Sequence, residues 1–152
     1  MTPAIVLREN PDPQIRAALM GLMMTYNESR TGPSGFALLA VTLDDPQTGQ
    51  WIGGLWGRTV YDWLFVELLF VPEHLRGRGI GTTLLQKAEH EALARGCKGV
   101  CLDTFDFNAP GFYRKLGYEE FAALDSPRRG FSRHFFRKRI GAAIQPPRLS
   151  SR

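Results

Sequence analysis

The stretch FVPEHLRGRGIGTTLL, residues 70–85, places three glycines and two arginines within Arg76–Gly81. The apolar run WLFVELLFV (63–71) leads into it, and the amphipathic run IGTTLLQKAEHEALARG (80–96) leads out. Glycine loses more backbone freedom on folding than other residues, so such a cluster needs a reason. A loop between a strand and a helix supplies one. The free N–H groups and the positive dipole end of the helix point into the loop, which suits an anion and phosphate above all. Gly77, Gly79 and Gly81 let the backbone curl around such a group, and Arg76 and Arg78 add charge and forked donors. A pyrophosphate is the fitting size of ligand. The loop matches neither common nucleotide pattern. No lysine follows Gly81, as a Walker loop requires, and the last glycine of G-x-G-x-x-G falls on Thr82 or Leu84.

Working outward, AIVLRE (4–9) reads as a first strand. A helix follows over PDPQIRAALMGLMMTYNES, with Asp12 as cap, Pro13 at its first position, and Ile15, Leu19, Leu22 and Met23 on one face. FALLAVTLDD and WIGGLWGRTV read as a hairpin around PQTG. WLFVELLFV is a fourth strand expected to be buried on both faces. The following helix turns Ile80, Leu84, Leu85, Ala88 and Ala92 inward and stops at Gly96. GVCLDTF is a fifth strand and APGFYRKLG a short helix ended by Gly117; YEEFAAL and FSRHFFRKRI are the last two strands. The order β-α-β-β-β-α-β-α-β-β predicts an α/β protein with a mixed sheet, parallel across residues 63–105. Residues 1–140 are expected to form a single domain, and residues 141–152 a disordered tail.

The 152 residues suit one domain, and 43% hydrophobic with 22% charged residues is a soluble balance. No apolar run spans a bilayer and the N-terminal stretch has no secretion signal, so a cytoplasmic protein is expected. Cys97 and Cys101 suggest neither a disulfide framework nor a zinc site, and His74, His90 and His134 have no ligand spacing; no metal is expected. The net charge of +4 is uneven: residues 127–152 hold eight of the 19 basic residues and no acidic one. The rough alternation of basic and aromatic residues there fits a half-buried strand better than a nucleic-acid surface.

RGRGIG fits R-x-x-G-x-G, with Arg76, Gly79 and Gly81 at its fixed places, and NAPGFYRKLGY (108–118) resembles Asn…Phe-Tyr-x-Lys-x-Gly-Phe/Tyr. Both segments, one helix and one strand apart, resemble the GNAT superfamily of N-acetyltransferases. The predicted element order is similar to that superfamily from Ala4 to about Ile140. The resemblance implies a GNAT-like fold with a splayed mixed sheet and acetyl-CoA (coenzyme A) as co-substrate. Its pyrophosphate would lie on Arg76, Gly77, Arg78, Gly79, Ile80, Gly81 and Thr82. Its pantetheine arm would pair with the backbone of Leu69, Phe70 and Val71 as an added strand does.

The resemblance also implies transfer of acetyl to a primary amine of a small molecule, peptide or protein in a ternary complex. Tyr113 falls on the family's tyrosine near the coenzyme sulfur and is the candidate acid; it also packs a short helix. Asn108 is expected to cap that helix, to touch the pantetheine arm, or both. Glu67, the only charge in its strand, is the candidate base. Burial there would raise its pKa; an ion pair with Arg58, or a water chain in its place, is the alternative. Asp103 or Asp106 is placed to attract a cationic amine, and Tyr61, Asp62 and Trp63 to shape the acceptor mouth. A non-catalytic acyl-CoA sensor on the same fold is the competing function. Dimers are frequent in the superfamily, and the aromatic, basic last strand is suited to such an interface.

Overall fold

The computed structural model describes residues 1–141, so the expectation for the tail falls outside the described residues from 142 onward. Two compact units are present, Met1–Ser34 and a second beginning at Gly35.

The first unit is built on helix α1, Pro13–Thr31. Asp12 caps it by accepting the Gln14 N–H at 2.9 Å, Pro13 opens it, and Gly32 at φ 81° ends it. The Ser34 hydroxyl then donates to Glu28 at 2.6 Å and pins the exit. Leu19, Leu22 and Met23 all stand more than half exposed. The first strand expected over residues 4–9 is not formed: the segment is exposed throughout and belongs to no ladder. Alternating apolar residues make a strand only where a neighbour takes up the backbone N–H and C=O groups.

The second unit is a six-stranded mixed sheet in the order β1-β2-β3-β4-β6-β5. Its elements are β1 (Ala37–Asp44), β2 (Trp51–Val60), β3 (Trp63–Phe70), α2 (Ile80–Ala94), β4 (Gly99–Phe105), α3 (Pro110–Lys115), β5 (Glu119–Ser126) and β6 (Phe131–Arg139). Single 3-10 turns cover Glu73–Leu75 and Asp106–Asn108. The hairpins, the parallel β3-α2-β4 crossover and both helices stand where the sequence places them. Tyr61 and Asp62, both at positive φ, form the two-residue turn between β2 and β3.

The core lies between the sheet and α2. Leu64, Val66, Val100, Leu102 and Phe136 face Leu85, Ala88 and Ala92. Each fully buried leucine contributes about 1.5–3 kcal/mol. A partly buried polar network crosses this region. The Tyr118 hydroxyl donates to Glu89 at 2.7 Å, and Lys138 donates to the same carboxylate at 3.0 Å, tying α2 to β6. The carboxylate and burial push the Tyr118 pKa up; burial is the larger cause. Arg133 and Arg137 pair with Asp103 and Glu119, which accounts for much of the basic last strand without a nucleic-acid partner.

The reading of 63–71 as buried on both faces does not hold: Leu64 and Val66 are buried on one face, while Trp63 and Phe65 on the other are only half-buried. Leu68 and Phe70 are 62% and 55% exposed.

Candidate active site

β3 and β4 begin as a parallel pair, Trp63–Val66 against Gly99–Leu102, and pair no further. Both strands continue, β3 to Phe70 and β4 to Phe105, without each other. A bulge lies at the point of separation. Trp56 of β2 opposes Leu68 and the next residue, Gly57, opposes Val66, so Glu67 is an extra residue on β3. A bulge bends its strand and increases the local twist, and it turns β3 away from β4 here. The edge of residues 67–70 that faced β4 is left without a strand partner.

A cavity of about 960 Å³ fills the gap, the upper range for small-molecule sites. Its walls are the diverging ends of β3 and β4, the loop after β3, the first turn of α2, and α3. Every predicted coenzyme residue lines it except Arg78: Leu69, Phe70, Val71, Arg76, Gly77, Gly79, Ile80, Gly81, Thr82, Asn108 and Tyr113 all do. Glu67 lines it as well. Arg78 is exposed outside this wall.

The glycine loop has the form an anion needs. Gly77 and Gly79 sit at φ 76° and 78°, a region costly for residues with a Cβ. A Cβ on either would meet no protein atom within 4 Å, so the space beside them is open. Gly79 is the N-cap residue of α2 and brings no side-chain cap, so the N–H groups of the first turn remain available to a ligand. Arg76 Nε donates to the Val71 carbonyl at 2.9 Å, closing the loop back on the end of β3. Gly81 lies in tight contact range of Phe112, where a Cβ would stand 3.3 Å from Cζ. The residues present therefore fit a pyrophosphate on the loop and an extended arm along β3.

Tyr113 is 8% exposed and packs on Phe112, Tyr118 and Phe136. Tyr113 lines the cavity, and its hydroxyl has no hydrogen-bond partner among the described residues. Burial first, and Asp103 second, push its pKa up to about 12, so at neutral pH it is a proton-bearing donor.

Other expectations need correction. Glu67 is not buried: its side chain is 54% exposed and stands 3.9 Å from Arg58, because the bulge carries it to the rim. Asn108 does not cap α3. Ala109, at φ 51°, holds the cap position without a side-chain bond, and the Asn108 carbonyl accepts from the Thr104 hydroxyl at 3.1 Å. Tyr61, Asp62 and Trp63 are at the start of β3, away from the cavity at its other end. Asp103 lines the cavity and Asp106 does not. Burial pushes up the pKa of both cysteines, in keeping with inert thiols.

Two features escaped the sequence reading. Phe107 lines the cavity and stacks on Phe105 at 5.3 Å between centroids, with Phe131 edge-on; the spacing of TFDF was its only signal. His134 is bonded through both ring nitrogens, to Asp106 and Glu120, partners 28 and 14 residues away that no local pattern shows. No group of side chains suited to a metal is found among the described residues.

Residues 8–118 match the family model described as the acetyltransferase (GNAT) family. The chain belongs to the GNAT acetyltransferase family. It is 37% identical to an acetyltransferase of Agrobacterium fabrum over 135 residues, 89% of this chain and 98% of that one. It is 38% identical to the blasticidin-S acetyltransferase of Streptomyces morookaense over 62% of this chain and 70% of that one. Among solved structures, an acetyltransferase from Bacillus cereus superposes with a TM-score of 0.72 at 30% identity, over 89% of this chain and 98% of that one. This GNAT protein is thus an acetyl-CoA-dependent acyltransferase, and its splayed sheet is the family's fold. Among the described residues, no helix of the acetyltransferase is long and apolar enough to cross a membrane.

Proposed function

We propose that this acetyltransferase moves acetyl from acetyl-CoA directly to a primary amine, with both substrates bound together in the β3–β4 cleft. The observation that carries this reading is the free hydroxyl of buried Tyr113 on the wall of a cleft whose strand edge is unpaired. Acetyl-CoA supplies an activated thioester. Everything else asked of the site belongs to the chain. The first-turn amides of α2, with Arg76 and the glycine loop, hold the pyrophosphate. The open edge at 67–70 takes the extended arm and offers N–H groups to charge developing on the acetyl oxygen. Tyr113 donates a hydrogen bond to the departing sulfur, which needs less help than an alkoxide because a thiol titrates near ~8.5.

The acceptor enters from the rim occupied by Glu67 and Asp103. Asp103 is paired with Arg133, so Glu67, more than half exposed, is the carboxylate open to a cationic amine there; it takes the amine proton and passes it to water. A neutral amine is required for attack because a free alkylamine titrates near ~10. The reading of residues 1–140 as one domain, and of the cytoplasm as its compartment, belongs to this proposal too. The test is a screen of amines, peptides and aminoglycosides with a thiol-release readout. Blasticidin-S is included because one relative is named for it. Stoichiometric thiol release and acetylated amine support the proposal. Thiol release without amine acetylation, or coenzyme binding without turnover on any acceptor, contradicts it.

A further inference from the structure

His134 lies on β6 with its ring between two carboxylates. Nε2 meets Asp106, on the 3-10 turn after β4, and Nδ1 meets Glu120, on β5. A carboxylate can only accept, so both ring nitrogens must donate and both must carry a proton. The ring that makes both bonds is therefore an imidazolium. Its side chain is 17% exposed, and the surrounding charges keep the arrangement closed. From β5, Glu120 also pairs with Arg114 of α3. On the β4 side, Asp103 is occupied by Arg133, so Asp106 and Glu120 are the anions left to the ring.

The turn held in this way is the one that walls the cleft. Asp106 is bonded to His134 and also accepts the Ser132 backbone N–H at 2.7 Å. Two residues on, the Asn108 carbonyl is held by Thr104 at 3.1 Å. Between these anchors Phe107 is 66% exposed and lines the cavity beside Asn108 and Ala109. Thr104 fixes one end of the turn whatever the pH. At the other end Asp106 keeps the Ser132 N–H at any pH, and the bond it adds to His134 draws on the proton that lets a single ring serve two carboxylates.

We propose that His134, clamped as an imidazolium between Asp106 and Glu120, is a positioning residue that locks the Asp106–Asn108 turn and so holds the Phe107–Asn108 wall of the coenzyme cleft. This rests on the reading of that cleft as the coenzyme site. Loss of the proton leaves the ring one donor for two carboxylates and loosens the wall, so the effect falls on coenzyme affinity and KM and leaves kcat largely unchanged.

The experiment is calorimetric titration of coenzyme A between pH 6 and 9 into wild type, His134→Gln and His134→Arg. The His134 ring resonances are followed by NMR over the same range. Wild-type affinity should fall roughly tenfold through the His134 titration, the scale of one charge-assisted hydrogen bond. His134→Gln should bind at the weaker level at every pH. His134→Arg keeps a permanent cation with several donors, so it should restore tight binding and remove the His134-linked loss. Asp106→Asn offers a second route to the weakened state if the His134 variants fold poorly. A His134→Gln protein that binds like wild type, or the same pH-dependent loss in His134→Arg, would overturn the proposal. Amide exchange at residues 106–109 separates this inference from the coenzyme reading. Without ligand, wild type should exchange faster than His134→Arg at pH 9 and equally at pH 6. If wild type binds no coenzyme A but shows this exchange difference, the coenzyme reading fails and the clamp stands. If the exchange difference is missing, the clamp fails.

Discussion

The two halves of the β3–β4 pair are made of similar residues and behave in opposite ways. Over Trp63–Val66 and Gly99–Leu102 the strands are paired, and Leu64 and Val100 are completely buried. Over Glu67–Phe70 and Asp103–Phe105 they have parted, and Leu68 and Phe70 face open space. One extra residue at the bulge separates a half that stabilises the fold from a half that presents backbone and apolar surface to a ligand. Hydrophobicity alone does not distinguish them. The same contrast appears in two tyrosines of one short segment. The Tyr118 hydroxyl donates to Glu89, while that of Tyr113, a residue on the cleft wall, has no hydrogen-bond partner among the described residues.

The largest expected effect is in the paired half. Leu64→Ala should cost about 2–5 kcal/mol in denaturant unfolding, whereas Leu68→Ala should stay within about 0.5 kcal/mol. Equal losses at the two sites would erase the distinction. Next come the tyrosines. Tyr113→Phe should lower kcat roughly 10²-fold with KM for acetyl-CoA little changed, an interaction made mainly in the transition state. Tyr118→Phe should instead leave kcat within about twofold and lower stability, because the Glu89 carboxylate loses a buried donor. Steady-state kinetics and melts on both variants separate these roles; a Tyr113→Phe enzyme of wild-type turnover would make both tyrosines packing residues.

Smaller effects sharpen the phosphate end of the cleft. Gly79→Ala forces a Cβ into left-handed backbone at a cost of about 1 kcal/mol, and coenzyme affinity should fall roughly tenfold as the loop shifts. Arg78, outside the wall, should matter by only about twofold on mutation to Ala, and less in high salt. Calorimetry checks both, and an Arg78 effect larger than that of Gly79 would redraw the site.

The smallest effect is on stability against pH. The Asp106 and Glu120 carboxyls are held below their usual range, chiefly by the His134 hydrogen bond, and that bond to Asp106 is the main cause of a raised His134 pKa. A lowered carboxyl pKa gives stability that is present above the ordinary carboxylate range and lost as pH falls through the lowered value. A raised histidine pKa gives stability that is complete below the ordinary value near ~6.5 and lost as pH rises through the raised one. Wild type minus His134→Gln in melting temperature should therefore be greatest between these limits and shrink on either side. A flat difference would remove the charge from the clamp.

Much of the fold was legible because its signals are local. Asp12 with Pro13, the turn before Gln50, Gly96 and Gly117 end or begin elements through their own backbone preferences. The loop from Arg76 to Gly81 and the helix around Tyr113 were legible for the same reason, since each acts through a few consecutive residues. What was missed depends on partners distant in sequence. Residues 4–9 have strand composition but no ladder. Glu67 stands in an apolar run, yet the bulge against Trp56 and Gly57 decides its exposure. His134 acquires its partners only when β5, β6 and the turn after β4 come together.

The central claim is that the parted half of β3 is where coenzyme A binds, and amide hydrogen exchange with and without coenzyme A tests it residue by residue. The account predicts that bound coenzyme slows exchange at residues 67–70 and 80–82, while residues 63–66, already paired to β4, exchange as before. Saturating coenzyme A that leaves 67–70 unchanged, or protects the paired half instead, would contradict it.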